Sequence, residues 1–311
     1  MNPAFSVIAF TLLAGTAQGL AVMCSLAVLA GVAMTPHFLS RSVLTATGML
    51  LLGLGASFVH LGRPERAWRA ATMWRTSWLS REVIVLPFCI ALLSCWWLTL
   101  QQADHTLLTR GLIPLGILAA SAALWYCTSM IYACLRFIEE WAHPITLVNF
   151  VLVGLSSGLL LACALASWYS ERAFLAASGP AAITFTALAW ASRTMALRRN
   201  AAIRHRSTLQ TATGIHASRL VQTSMGMSAG SFNTREFFHR ASPFMFKGIR
   251  QAGICLSFAA PLVAMSIAWL GQWDAGWTTA LVLQIPGLVA DRWLFFAQAK
   301  HPQNLYYQVV S

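Results

Sequence analysis

Charged side chains are scarce in this 311-residue sequence, and acidic ones are the scarcest. Asp and Glu number 9 and Lys and Arg number 21, so charged residues make up 10% of the chain while hydrophobic residues make up 58%. Soluble domains carry roughly a quarter charged residues, so this balance excludes an ordinary soluble enzyme. The chain is therefore predicted to be an integral membrane protein.

The sequence also lacks the cysteine patterns of metal sites and disulfide frameworks. All seven cysteines fall inside apolar stretches and none forms a C-x-x-C pair, so we interpret them as small core residues. The histidines avoid the centres of those stretches, which leaves no facing pair to bind a haem inside the bilayer. We therefore predict that this chain holds no haem and no metal.

Eight apolar stretches are each long enough to cross a bilayer, which takes roughly 20 helical residues. They are predicted at 5–33, 43–60, 83–100, 111–135, 145–168, 173–195, 249–270 and 276–297. We expect an all-α protein in which residues 1–311 form a single membrane domain, with its eight transmembrane helices in two adjacent four-helix clusters.

Positive charge falls almost entirely on one side of this predicted bundle. Eight crossings put both termini on one side, together with the connections 61–82, 136–144 and 196–248. All but three of the 21 Lys and Arg residues lie on that side, the exceptions being Arg41, Arg110 and Arg172. Such an excess marks the cytoplasmic face of a bacterial inner membrane. Topology and anionic lipid headgroups explain the net charge of +12, so nucleic acid is not a predicted partner.

The connection 61–82 is predicted to carry a short interfacial helix in which arginines alternate with tryptophans. Glu65 and Arg69 stand four residues apart, the spacing of a favourable helical ion pair. We predict that Arg66, Arg69 and Arg75 dock a partner subunit, although anchoring at the lipid headgroups explains the same pattern.

The connection 196–248 is rich in Ser, Thr, Gly and Arg and is too small for an enzyme domain. A loop of this length is usually disordered or ordered by a partner. Its aromatic and basic residues favour a cytoplasmic partner-docking loop that uses Arg235, Phe237, Phe238 and Arg240. A segment lying on the lipid surface is the alternative.

His60 ends the second apolar stretch and Glu82 begins the third, so both are expected at one depth near one membrane edge. Arg63 and Arg81 lie close to them in sequence, and we predict that they belong to the same quinone site and orient the headgroup or Glu82. A quinone exchanges two protons and two electrons, so its oxygens need hydrogen-bond partners that exchange protons with water. His60 and Glu82 could fill this role, but capping and anchoring of the two helices would explain the same spacing.

Three further polar residues are weaker quinone-site candidates. Asp291 and Arg292 lie inside the last apolar stretch, where a local ion pair between packed helices is the alternative interpretation. Gln18 in the first stretch could donate to a quinone oxygen or make an ordinary interhelical contact. The rest of the predicted bilayer midplane is almost free of charge, which disfavours a stand-alone transporter.

Two motifs carry a resemblance to a known family. The runs HLGRPERA at 60–67 and SWLSRE at 77–82 resemble the membrane anchor subunits of DMSO-reductase-type molybdoenzymes, and the likeness extends through SFNTREFFH at 231–239. The resemblance implies a haem-free anchor that exchanges electrons with quinone. It also implies an iron–sulfur electron-transfer partner, a molybdopterin catalytic partner, and quinol chemistry at His60 and Glu82.

The two ends of the chain refine this resemblance. NPAFSVI at 2–8 and AKHPQNLYYQ at 299–308 are more similar to the anchors of cytoplasmic sulfite-oxidising complexes, which agrees with the orientation predicted from charge. We therefore expect electrons to flow from sulfite to quinone. A quinol-oxidising anchor for the reduction of DMSO or a related oxide is the alternative within the family.

Overall fold

The structure is a computed structural model, and it describes residues 4–59, 61, 63–102, 107–221, 223 and 241–302. These residues form helices and connections and no strand, which confirms the all-α prediction. Eight of their helices are long and apolar enough to cross a membrane. They are α1 (Phe5–Leu29), α2 (Pro36–Val59), α3 (Trp78–Thr99), α4 (Leu108–Ala133), α5 (Pro144–Trp168), α6 (Arg172–Ala201), α8 (Pro243–Leu270) and α9 (Ala275–Ala297), and a short α7 (Leu209–Thr213) lies outside the spans.

Several helices extend beyond the apolar stretches that predict them. α2 begins at Pro36 rather than 43 and α8 at Pro243 rather than 249, because proline suits the first helical turn. The Ser242 hydroxyl also accepts a hydrogen bond from the Met245 amide at 3.2 Å and caps α8. α6 continues to Ala201 rather than 195. Polar helix ends can leave the lipid, so hydropathy alone underestimates helix length.

α1 and α5 cross with their backbones in contact. A Cβ atom added to Gly19 would lie 2.2 Å from the Gly154 carbonyl oxygen, and one added to Gly158 would lie 2.4 Å from Gly19 Cα. Small residues permit this close approach between membrane helices. α1 packs extensively against both α2 and α5, and α5 is the most buried of the eight spans, which puts α5 at the centre of the bundle. The division into two four-helix clusters stays a prediction.

Contacts between helix ends distinguish two faces of the bundle. At the terminal face, where α1 begins and α9 ends, the Trp141 indole donates to the Phe295 carbonyl at 3.0 Å and Ile8 joins the same apolar cluster. At the opposite face, the Arg172 guanidinium pairs with Asp274 through two bonds of 2.7 Å. The assignment of the terminal face to the cytoplasm stays a prediction from charge.

The predicted interfacial helix lies between α2 and α3, over Pro64–Ala71, and it is a 3-10 helix. The predicted pairing of Glu65 with Arg69 is wrong: the Glu65 carboxylate lies 4.0 Å from the Arg66 guanidinium. A 3-10 helix has three residues per turn, so side chains four apart no longer lie on one face.

Candidate functional site

Glu82 occupies the first turns of α3 and is buried, with 5% of its surface exposed. The Thr128 hydroxyl, near the terminal-face end of α4, donates a hydrogen bond to its carboxyl oxygen Oε1. The Ser77 hydroxyl caps α3 by accepting from the Ser80 amide at 3.3 Å, and this start of the helix sets the depth of Glu82. The position of Glu82 at one membrane edge stays a prediction, and Thr128 is a partner that sequence reasoning missed.

A cavity of about 10 Å³ lies next to this pair. Its lining includes Gln18 of α1, Trp125 and Thr128 of α4, and Arg292 of α9. Such a volume has room for about one water molecule. It is too small for a quinone ring, so a quinone that reacts with Glu82 must approach from outside this cavity.

Gln18 is buried in α1, as a residue of an interhelical contact would be. Its side-chain amide donates to the Ala14 carbonyl of its own helix at 3.0 Å. Its neighbour Thr16 bonds the Ser157 hydroxyl of α5 at 2.9 Å, an ordinary interhelical contact. Gln18 also lines the small cavity beside the Glu82–Thr128 pair. Its contact with a quinone stays a prediction.

Asp291 and Arg292 are both buried in α9, but they do not pair with each other. The Asp291 carboxylate accepts from Nε of Arg193, in α6, at 2.6 Å. Neighbouring residues on a helix point in different directions, which explains why the predicted local pair is wrong. Arg193 lies well inside α6, so this interior is more charged than the apolar pattern predicts.

Arg292 instead lies in a group of aromatic rings. Its guanidinium is 4.2 Å from the ring centre of Phe150 and 5.6 Å from that of Phe295, distances typical of cation–π contacts. Tyr132 packs between these rings. Sequence reasoning missed it because it lies in an apolar run.

Arg81 bonds to the chain segment that precedes its own helix. Its guanidinium donates to the carbonyl oxygens of Trp74 and Arg75 at 2.9 and 2.8 Å and lies 4.0 Å from the Trp78 ring centre. It therefore holds the connection before α3 against the start of that helix. Arg63 is exposed immediately before the 3-10 helix.

Several predicted site residues lie outside the described residues. This group includes His60, the predicted partner of Glu82, and the four predicted docking residues Arg235, Phe237, Phe238 and Arg240. α2 packs against α3, and its last described residue is Val59. The role of His60 stays a prediction.

The remaining predicted docking residues are exposed at the terminal face. Arg66, Arg69 and Arg75 share this surface with Trp68 and Trp74, whose surfaces are 67% and 53% exposed. Arg69 lies over the Trp68 ring and Arg75 over the Trp74 ring, at 5.6 and 5.4 Å. The surface combines positive charge with flat aromatic groups, a composition that fits a protein interface or lipid headgroups.

Together these residues place a buried carboxyl and its hydroxyl donor at the face that exposes the arginines and tryptophans. A buried carboxyl with a hydroxyl donor can hold or release a proton. The described residues contain no group of three or more metal-ligating side chains.

Similarity to known proteins shows the family of this chain. Residues 1–223 match the family described as DMSO reductase anchor subunit (DmsC). The whole chain is 44% identical to the sulfite dehydrogenase C subunit of Allochromatium vinosum, and the alignment covers 100% of both proteins. This chain belongs to the DMSO reductase anchor subunit family.

Proposed function

We propose that this chain is the membrane anchor of a three-subunit molybdenum/iron–sulfur oxidoreductase and the subunit that reacts with quinone. In this proposal an iron–sulfur subunit docks on the terminal face, in the cytoplasm, and brings electrons that a molybdopterin subunit takes from sulfite. The chain passes them to a membrane quinone, ubiquinone or menaquinone. The observation that carries the proposal is the buried Glu82–Thr128 pair at the face that also exposes the arginines and tryptophans.

Glu82 would act by exchanging protons with the quinone. Reduction of a quinone takes two electrons and two protons, so a carboxyl near a carbonyl oxygen can supply one of the protons. The internal cavity is too small for the ring, so we place the headgroup on the outer side of α3, beside the end of α2 where His60 follows. His60 would be the second proton-exchanging group.

Arg81 would support this site without touching the quinone. Its bonds to the carbonyls of Trp74 and Arg75 fix the connection that bounds the proposed headgroup position. Arg63 and the three docking arginines would instead attract a partner with an acidic surface. Long-range attraction of this kind mainly raises the rate of association.

The direction of electron flow rests on the relative named as part of a sulfite dehydrogenase and on the charge that predicts a cytoplasmic terminal face. A quinol-oxidising anchor for DMSO reduction is the second candidate, because the family that the chain matches is named for DMSO reductase. Both reactions should be measured on one complex co-purified with this chain from native membranes. Sulfite-dependent quinone reduction supports our direction, whereas DMSO-dependent quinol oxidation alone reverses it.

The role of Glu82 is tested with Glu82→Gln in that complex. The amide keeps the shape and a hydrogen-bonding oxygen but cannot exchange the proton, so we expect quinone turnover to fall about 100-fold or more. Glu171→Gln is the matched control, because Glu171 is also buried beside a threonine but lies at the opposite face. Unchanged turnover in Glu82→Gln, with normal subunit assembly, would overturn the proposal.

A further inference from the structure

Three buried polar side chains on the small cavity each have an atom with no hydrogen-bond partner among the described residues. They are Oε1 of Gln18, the indole Nε1 of Trp125 and Nε of Arg292. The three residues come from α1, α4 and α9 and are 3%, 6% and 7% exposed. Unpaired polar atoms in a membrane interior are unfavourable, so three such residues on one cavity call for a ligand.

The chemistry of the three atoms and of the neighbouring Thr128 matches one water molecule. Trp125 Nε1 and Arg292 Nε are donors, and a water oxygen accepts two hydrogen bonds. Gln18 Oε1 is an acceptor. Thr128 gives its own hydrogen to Glu82, so its oxygen can accept a further bond. Two donors and two acceptors complete the four bonds of water, and a cavity of about 10 Å³ holds about one water.

We propose that this cavity binds a water molecule which accepts from Trp125 and Arg292, donates to Gln18 and Thr128, and thereby orients the Thr128 hydroxyl toward Glu82. Gln18, Trp125 and Arg292 are positioning residues in this arrangement. A hydroxyl hydrogen rotates to suit its hydrogen-bond partners, so a bond to the hydroxyl oxygen favours the rotamer that donates to Glu82. With the water donating to its oxygen, the Thr128 hydroxyl is fixed on the Glu82 carboxyl.

Glycines make room for this polar cluster inside an apolar bundle. Gly15 and Gly154 bring the backbones of α1 and α5 together at the cavity, and a Cβ atom on Gly154 would lie 2.7 Å from Trp125 Nε1. A larger residue at Gly154 would collide with the indole. The glycine therefore leaves room for the indole N–H beside the cavity.

The bound water is tested by X-ray hydroxyl-radical labelling of the purified complex, read out by mass spectrometry. Radicals form from water, so a buried side chain is labelled when a bound water touches it. Trp141 is the internal control: it is 3% exposed, and its indole N–H donates to the Phe295 carbonyl instead. We expect Trp125 to be labelled at least several-fold faster than Trp141. Equal labelling of the two indoles overturns the water site.

Gln18→Leu sharpens this test, because leucine removes the acceptor and fills the space beside it. We expect labelling of Trp125 to fall to the level of Trp141. If labelling persists in Gln18→Leu, the radicals reach Trp125 by another path and the proposed site is wrong.

The effect on Glu82 rests on the proposed function and is tested separately with Trp125→Phe. Phenylalanine keeps an aromatic ring but removes the N–H, so we expect a several-fold lower kcat for quinone reduction with KM unchanged. Trp141→Phe should leave kcat at the wild-type value. Unchanged kcat in Trp125→Phe overturns the positioning role even where labelling confirms the water. Rapid turnover by Glu82→Gln would instead count against the proposed function and leave the labelling result standing.

Discussion

Two buried carboxylates in this protein each accept a hydrogen bond from a threonine hydroxyl, one near each face of the bundle. Near the terminal face Thr128 donates to Glu82, and near the opposite face Thr35 donates to Glu171. Both carboxylates are nearly inaccessible, at 5% and 7% exposure. The local chemistry is the same, so any difference in role must come from the surroundings.

The surroundings of the two pairs differ in how completely the polar groups are engaged. Glu171 also accepts from the Thr35 amide at 3.1 Å, and the Thr35 oxygen accepts from the Phe38 amide at 3.2 Å. Glu82 accepts from the Thr128 hydroxyl within the described chain, and a polar cavity lies beside this bond. A closed network stabilises helix ends, whereas an open one leaves a carboxyl able to exchange a proton.

The two interhelical ion pairs also differ, because one is buried and the other is exposed. Breaking the buried pair should give the largest loss of stability. Asp291→Asn leaves the Arg193 charge buried without a counter-charge, so we expect a loss of about 3–5 kcal/mol of stability. Asp274→Asn breaks a pair whose side chains are 59% and 42% exposed, and we expect about 0–1 kcal/mol. Thermal unfolding of both variants in detergent measures the difference.

Equal destabilisation by these two substitutions would contradict the contrast. It would mean that the Arg193–Asp291 pair reaches solvent in the membrane-embedded protein. Arg193→Lys offers a further check, since lysine keeps the charge but loses the guanidinium geometry and the second contact, from Nη2 to the Asp291 carbonyl.

The threonines give an intermediate effect that separates function from stability. Valine has nearly the shape of threonine, so Thr128→Val removes a buried hydrogen-bond donor and should lower stability by about 1–3 kcal/mol, whereas Thr35→Val removes a donor on an exposed residue and should lower stability less. We expect only Thr128→Val to lower quinone turnover, by about tenfold, because only Glu82 acts on the quinone in our proposal. Thr128→Ser and Thr35→Ser keep the hydroxyl and are the matched controls. Similar turnover in both valine variants would remove the functional distinction between the faces.

The helices can be predicted from the sequence far better than the site can. The apolar run at 145–168 predicts α5, which spans Pro144–Trp168, since twenty-odd apolar residues in a row have few other solutions. Glu82 is recognisable as a charge at a helix start. Thr128 is not, because the two residues are 46 positions apart and only the packing of α3 on α4 brings them together.

Trp125, Tyr132 and Arg193 escape sequence reasoning for related causes. Trp125 and Tyr132 belong to an apolar run in which nothing separates a lipid-facing aromatic residue from one beside a polar cavity. Arg193 stands near the predicted end of its stretch at 195, where a charge is expected at a membrane edge, but in the structure it is buried and pairs with Asp291. Hydropathy reports the length of an apolar run and does not report which side chains face one another.

The smallest expected effect concerns the titration of the terminal face. His143 caps α5, since its Nδ1 accepts from the Ile145 amide at 3.1 Å. Desolvation, followed by the nearby Arg199 charge, lowers the pKa of His143 below its usual range. The Thr35–Glu171 contacts at the opposite face involve no imidazole, so mild acid should weaken the terminal face first.

The sign of this effect follows from the lowered pKa. His143 resists protonation in the folded protein more than in the unfolded chain, whose histidines titrate near 6.5. Its stabilising contribution is therefore complete above about pH 6.5 and is lost as pH falls through the lower folded-state pKa, because a protonated imidazole cannot accept from Ile145. His143→Asn keeps a capping side chain that does not titrate. Between about pH 7.5 and about pH 5.5, we expect the Tm of this variant to fall less than that of the wild type, the difference being on the order of 1–2 °C. His216→Asn is the control: it removes an exposed histidine that caps no described helix, so its Tm should change with pH as that of the wild type does. If the Tm of His143→Asn also changes with pH as that of the wild type does, the cap survives acid and the prediction is wrong.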